Sequence, residues 1–361
     1  IFMKKTDIKS LFYEELEQRL AQMGEKPFRA KQVYGWLHEK MAVDFGQMSN
    51  LSLTLRQRLE EEFYLTVLEP VEVKISKIDG TRKYLFRLED GNVIESVWMK
   101  YRHGCSVCVS SQVGCRMGCG FCASTIEGLE RNLTPAEMLE QVYRIQALTG
   151  ERVSHVVVMG SGEPFDNYDT VVAFLRLLSH ELGLHISLRN VTVSTCGLVP
   201  GILRFAEEGL PVTLALSLHG PNDSVRKTLM PVANRYPLSE VLDACRKYFE
   251  KTGRRLTFEY SLIKGVNDQL SLARELAALV GPLHGHVNLI PVNPVEEREY
   301  ACSGKKDVLA FQEILKKAGI AVTIRREMGR DIHGACGQLR RSFRKKQSRN
   351  DNGPEWEGKG G

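Results

Sequence analysis

From about residue 104 onward, short runs rich in β-branched residues alternate with stretches of helical period. The runs are Ser106–Ser110, His155–Met159, Val191–Thr195, Val212–Leu218, Leu256–Ile263 and Val287–Pro291, with a further one near Val322–Arg326. Strands of this composition, each followed by a helix, form a parallel sheet, because a crossover helix is what returns the chain to the same edge direction. Thr134-Pro135-Ala136-Glu137 marks one helix start: Thr caps, Pro takes the first turn and Glu completes a capping box. Six such units suit a barrel or an open partial barrel better than a small doubly wound sheet. The fold class predicted is therefore α/β, a partial (βα)6 barrel over residues 101–330.

The flanks have different periods. Residues 3–68 read as a small helical domain, with Asp7 as cap for Ile8, Leu11, Phe12, Leu16 and Leu20. A second helix is predicted near Ala30, with Val33, Trp36 and Leu37 on one face. Over 69–100 the period falls to two, and Asp79-Gly80 and Asp90-Gly91 signal hairpin turns, which predicts a β-meander linking helical domain and barrel. Residues 331–346 follow the barrel, and 347–361 have a disordered composition. From Arg325 to the end there are ten Lys/Arg against five Asp/Glu, which accounts for the whole net charge of +5. Such an end can meet phosphates, as can Arg29 and Lys31, although a solvated tail has the same composition. No apolar run is long enough to span a bilayer and no signal peptide is visible, so a cytoplasmic location without membrane contact is expected. Nothing suggests an interface helix or heptad, and a monomer is expected.

Nine cysteines in a large chain without a signal peptide argue against a disulfide scaffold, and five of them fall between 105 and 122. Cys115-Arg116-Met117-Gly118-Cys119-Gly120-Phe121-Cys122 sets three thiols within eight residues, interleaved with glycines that let backbone wrap a bulky ligand. Thiolates hold iron–sulfur clusters and zinc. Three of them on a loop leave one iron of a 4Fe–4S cluster open; a zinc loop recruiting Cys105 or Cys108 as fourth ligand has the same spacing. Cys105, Cys196, Cys245 and Cys302 read as buried or incidental thiols.

Cys-x3-Cys-x2-Cys with an aromatic residue before the last cysteine resembles the radical S-adenosylmethionine (SAM) signature. Gly160-Ser161-Gly162-Glu163-Pro164, ending the second barrel strand, is similar to that superfamily's Gly-Glu-Pro motif. Longer blocks narrow the resemblance to the RlmN family of RNA adenine C2-methyltransferases: Val107–Gly114, Ser217-Leu218-His219-Gly220-Pro221-Asn222, Asn288–Asn293 and Asp331–Leu339. It covers nearly the whole chain from Gly24 to Leu339, with one departure, His333-Gly334 where the family usually shows Asp-Ala.

The resemblance implies a 4Fe–4S cluster on Cys115, Cys119 and Cys122, and SAM held by Gly162, Glu163, Ser194, Ser217, Leu218, His219 and Asn293. It implies that one SAM methylates Cys336 and that a second yields the 5′-deoxyadenosyl radical that activates the Cys336 methyl group. The activated carbon attacks adenine C2, Glu95 accepts the proton, and a transient Cys108–Cys336 disulfide releases the product. Implied substrates are an adenosine of 23S rRNA near the peptidyl-transferase centre and one beside the tRNA anticodon, with an electron donor such as flavodoxin or ferredoxin. Two alternatives stay open: a sister enzyme that methylates C8 of the same rRNA base, and a non-catalytic zinc protein that binds RNA.

Overall fold

The computed structural model describes residues 5–293, 295, 297–326, 328–332 and 339–343. In chain order the strands are β1 (Thr6–Asp7), β2 (Phe63–Tyr64), β3 (Glu69–Ile75), β4 (Arg82–Arg87), β5 (Val93–Tyr101), β6 (Gly104–Val109), β7 (Gln112–Gly114), β8 (Leu129–Asn132), β9 (Val153–Val158), β10 (Val191–Thr195), β11 (Thr213–Ser217), β12 (Leu256–Leu262), β13 (His286–Pro291) and β14 (Ala321–Ile324). The helices are α1 (Tyr13–Gln22), α2 (Pro27–His38), α3 (Leu53–Glu62), α4 (Pro135–Thr149), α5 (Tyr168–Ser179), α6 (Val199–Glu207), α7 (Asp223–Leu229), α8 (Leu238–Thr252), α9 (Leu270–Val280) and α10 (Lys305–Lys317).

Ten strands form one sheet in the order β14-β13-β12-β11-β10-β9-β6-β5-β4-β3. From β6 to β14 the pairs are parallel, and β6, β9, β10, β11, β12 and β13 are the six strands of an open barrel. On the outer face Val107, Val156, Val193, Leu216, Phe258 and Leu289 pack beneath the helices. The residues between them point inward, and there the sequence turns polar: Ser194, Ser217, Glu259 and Asn288. Parallel strands are ordinarily apolar on both faces, so this polar inner face marks a ligand surface.

Thr134 forms the predicted capping box, its Oγ1 accepting from Glu137 N at 3.2 Å while the Glu137 carboxylate accepts from Thr134 N at 2.8 Å. Asp7 does not start the first α-helix. It caps a single 3₁₀ turn, Ile8–Ser10, and shares its carboxylate with Thr66. The helix begins at Tyr13, where Glu15 reaches back to the Phe12 amide at 2.8 Å. The strands β3, β4 and β5 pair antiparallel in turn, and β5 hydrogen-bonds directly to β6, so that they extend the barrel sheet itself. After β14 the chain crosses the inner face of that extension: Met328 packs with Val97, Met99 and Cys108. It then hooks onto the β3–β4 turn, Asp331 accepting from Ser76 Oγ at 2.6 Å and Lys77 N at 2.8 Å. No described helix is long and apolar enough to cross a membrane.

The N-terminal helices share the barrel's core, and two buried polar contacts tie them to α4. Lys9 meets Glu140 at 2.6 Å, both side chains fully buried. His38 Nδ1 lies 2.8 Å from Tyr143 Oη. Burial pushes the His38 pKa down to about 3, reinforced by the charges of Lys9 and His180. The unfolded chain therefore takes up a proton below about 6.5 that the folded chain refuses, and stability falls as pH drops. We expect His38 to account for a loss of about 2 kcal/mol between pH 7 and 5. Urea unfolding at both pH values measures it; His38→Gln should flatten the dependence by that amount, and an equal slope in both proteins would refute the assignment.

Candidate active site

Beyond β6 the chain leaves the sheet, and β7 pairs antiparallel with β8 to form the neck of a loop that carries the three clustered cysteines. The neck is tight: Cys115 N donates to Gly128 O at 2.9 Å. Gly114 sits at φ +79°, where a Cβ would lie 2.0 Å from that same oxygen, so no side chain fits. The turn after β9 is stitched to this loop. Ser111 N donates to Ser161 O (2.9 Å), Ser161 N to Ser110 Oγ (3.0 Å), and Glu163 N to Gln112 Oε1 (2.8 Å). Gly162, at φ +111°, approaches so closely that a Cβ would meet Ser111 Oγ and Gln112 Cβ at 2.7 Å. The two motifs legible in the sequence thus form one hydrogen-bonded unit at the C-terminal ends of β6 and β9.

That unit faces a cavity of about 480 Å³ at the barrel mouth. Cys115, Cys119 and Cys122 line it, as do Gly162 and Glu163. Across from them stand Ser194, Ser217, His219 and Asn293, from the ends of three further strands, β10, β11 and β13. Cys108 also opens onto it, because on β6 it points inward while Cys105, three residues earlier, points toward the helices and bonds Glu151. This alternation removes Cys105 as a fourth ligand beside the loop.

Burial pushes the Cys115 thiol up to about 12 and the Cys119 thiol up as well, each reinforced by its cysteine neighbours. Deprotonating such a set needs a positive group among the sulfurs, which is what bound iron provides. Among the described residues, no three His, Cys, Asp or Glu side chains converge to grip one ion. Three thiols spread along one cavity wall fit a 4Fe–4S cluster, where each thiolate takes its own iron, better than a single zinc.

Glu163 is buried, accepting backbone N–H bonds from Cys196 (Oε2, 2.8 Å) and Phe165 (Oε1, 3.1 Å). Burial raises its pKa, and these donors work against the rise. His219 adopts φ +53°, and its Nδ1 accepts from Ser261 N at 2.9 Å. Burial pushes its pKa down to about 3, so the ring is neutral and its proton resides on Nε2. Phe121 packs edge-on against this ring at 4.7 Å, joining the cysteine loop to β11.

Two predicted site residues lie outside the cavity wall. Leu218 turns its side chain into the core; its backbone N donates to Glu259 O and its carbonyl accepts from Arg226. Glu95 lies on the inner face of β5, one inward position from Val97, and is engaged by Lys83 Nζ at 3.0 Å and the Arg340 amide at 2.6 Å. Cys336 lies outside the described residues, although Met328 and Arg330 before it line the cavity and Arg340 follows it.

Sequence reasoning missed three residues here. Cys196, read as incidental, lines the cavity and supports Glu163. Arg226 is completely buried and binds the carbonyls of Cys196, Ser217 and Leu218. Glu259 lines the cavity from β12; its inward position in an alternating strand was the available signal.

Comparison with known proteins agrees with this geometry. The radical SAM superfamily model matches residues 109–276, and the ribosomal RNA large subunit methyltransferase N-terminal domain matches residues 6–65. The chain is 60% identical over 348 residues to a protein of Lachnospira eligens described as "Probable dual-specificity RNA methyltransferase RlmN", covering 96% of this chain and 99% of that one. A protein of Clostridium novyi with the same description is 52% identical over 330 residues, 91% of this chain and 96% of its own. Among solved structures, a radical SAM methyltransferase from Sphaerobacter thermophilus superposes with a TM-score of 0.88 at 45% identity, covering 92% of this chain and 98% of that one. The chain belongs to the RlmN family of radical SAM methyltransferases.

Proposed function

We propose that this protein methylates carbon C2 of adenine in RNA, taking an adenosine of large-subunit rRNA near the peptidyl-transferase centre and one beside the tRNA anticodon. One observation carries the reading: Cys108, a thiol outside the cysteine loop, opens onto the same cavity as Cys115, Cys119, Cys122 and Glu163. Simple methyl transfer from SAM needs a nucleophilic acceptor, and an electron-poor aromatic C–H is not one; a second thiol in the cavity suits a covalent route.

Cys115, Cys119 and Cys122 would hold the 4Fe–4S cluster, which when bound supplies the electron that cleaves SAM to a 5′-deoxyadenosyl radical. Gly162 and Glu163 would take the SAM amino group, and Ser194, Ser217, His219 and Asn293 the remainder, with Leu218 contributing backbone only. Cys336 would carry the methyl group to the base. Once the protein–RNA adduct has given up the C2 proton and one electron, returned to the cluster, Cys108 Sγ would attack Cys336 Sγ. The disulfide forms as the bond from Cys336 Sγ to the methylene on the base breaks, its electron pair leaves on that carbon, and a proton completes the methyl group. Reduction of the disulfide by a cellular thiol then resets the enzyme. Glu95 is assigned the C2 proton, which requires that it release either Lys83 or the Arg340 amide. Glu95→Gln keeps an acceptor for that amide and is expected to slow methylation roughly 100-fold while sparing 5′-deoxyadenosine formation; methylation at the wild-type rate would remove Glu95 from the mechanism.

Regiochemistry is tested with rRNA carrying deuterium at adenine C2. Loss of that deuterium from the methylated product is the expected result. Retention would place the methyl group on C8. A colourless protein holding zinc, with no SAM cleavage, would return the chain to the binding-protein reading.

A further inference from the structure

Lys83 is a buried cation that the reading above leaves without a role. It lies on β4 with its side chain wholly buried, and its Nζ meets Glu95 Oε2 at 3.0 Å. The sheet register brings the two together. Lys83 stands opposite Val97 on β5, and Glu95 is two residues from Val97 on the same face, so the pair is diagonal across neighbouring strands. Val97 in turn opposes Cys108 on β6, and both line the cavity. Lys83 is therefore one strand further out than the cavity wall. The backbone of Glu95 is fixed, because its carbonyl accepts from Ser110 Oγ at 2.8 Å. Its other carboxylate oxygen, Oε1, accepts from the Arg340 amide at 2.6 Å. The Arg340 guanidinium is engaged by Glu130 at 3.3 Å and by Glu127 at 3.7 Å.

A carboxylate that takes a proton from carbon has to be charged when the base arrives. One shut away from water keeps its charge only beside a cation, and Lys83 supplies that cation. The two oxygens of Glu95 are then unequal. Separating Oε2 from Lys83 would strand two buried charges, which costs more than freeing one backbone N–H from Oε1. Arg340 also follows Cys336 by four residues, in a segment whose thiol has to reach the base. Oε1 is therefore the oxygen that an arriving substrate can open, and Oε2 is the one that stays anchored.

We propose that Lys83 is a positioning residue for proton removal: it holds Glu95 charged and aimed through Oε2, while Oε1, given up by the Arg340 amide, takes the proton from adenine C2. Only a proton moves in this step; the electron pair of the C–H bond stays on the base. The inference rests on the reading that Glu95 receives this proton. The test is an anaerobic single turnover of cluster-loaded Lys83→Met with SAM, a reductant and a large-subunit rRNA fragment. It follows 5′-deoxyadenosine, the methylated base, and covalent protein–RNA adduct on denaturing gels. Methylation is expected to slow roughly 10- to 100-fold, while 5′-deoxyadenosine forms at the wild-type rate. Adduct should accumulate, because the base is attacked before its proton leaves. A packing defect would instead lower deoxyadenosine and methylated base alike, and that result would overturn the proposal. The double variant Lys83→Met/Glu95→Gln should be no slower than Glu95→Gln alone, because Lys83 acts through Glu95. It removes both buried charges together, so it remains a test should Lys83→Met fold poorly. A further loss in the double variant would overturn the proposal, as would wild-type methylation in Lys83→Met beside a slow Glu95→Gln. If Glu95→Gln itself methylates at the wild-type rate, the assignment of Glu95 as the base falls, and this role for Lys83 falls with it.

Discussion

Replacing Cys119 with alanine is expected to give a folded protein that binds no intact cluster and forms no 5′-deoxyadenosine. Cys119 is buried, packed with Cys196, Met230 and Ile263, and the substitution removes one sulfur from this wall. The packing cost should be about 1 kcal/mol, the usual size for a point substitution, and the fold should survive it. The functional cost is far larger. Even an outer partner of a metal ligand is worth 10- to 100-fold, so losing one of three ligands should lower cleavage of SAM by more than about 100-fold. Iron and sulfide content, circular dichroism and anaerobic SAM cleavage measure the three consequences. Cys245 supplies the control: it is buried in α8 beneath the sheet, and Cys245→Ala should keep cluster and activity. A Cys119→Ala protein with a full complement of iron would mean that this thiol is not a ligand.

Replacing Arg226 with methionine should damage both stability and SAM binding. Its guanidinium donates through Nη1 to Leu218 O (2.8 Å) and Ser217 O (3.2 Å), and through Nη2 to Cys196 O (3.2 Å). The residue is wholly buried, and burial lowers its pKa, yet an arginine remains charged. It works as a rigid fork that joins the ends of β10 and β11, where Ser194, Cys196, Ser217 and His219 meet the cavity. Methionine leaves three carbonyls without their donor, and a loss of about 3–5 kcal/mol in urea unfolding is expected. In the protein that remains folded, SAM should bind at least about tenfold more weakly, since a small misplacement of positioning groups is felt strongly. Arg226→Lys should recover little, because an ammonium cannot span both strands. Wild-type SAM affinity in Arg226→Met would show that backbone pairing alone fixes these strand ends.

The contrast between Thr134 and Arg226 shows what a sequence can disclose. Thr134 and Glu137 bond each other across one turn, so the helix start is legible from four residues. The β-branched strands are likewise local, and with the cysteine loop they disclosed the barrel and its ligand face. Arg226 follows Asn222-Asp223-Ser224-Val225 on a short capped helix, and by pattern it looks like a surface base. Its burial depends on strand ends eight and thirty residues away, which no local period records. Glu95 and Cys108 show the same limit: each is one position in an alternating strand, and which face is inward became decidable only once β5 paired with β6. The meander over 69–100 was legible as strands, but its continuity with the barrel is a matter of hydrogen-bonded edges, which composition does not state. Leu218 sits inside a motif whose residues on either side face the ligand, and alternation turns it to the core.

The central claim is a radical route from SAM to adenine C2 by way of a protein thiol. Its most direct test is anaerobic turnover of the cluster-loaded protein with methyl-deuterated SAM, a reductant and an unmodified large-subunit rRNA fragment, read by nucleoside mass spectrometry. The predicted result is 2-methyladenosine whose methyl group has lost one deuterium, together with 5′-deoxyadenosine that has gained it. A methyl group transferred with all its deuterium, or neither product from protein with a confirmed cluster, would contradict the account.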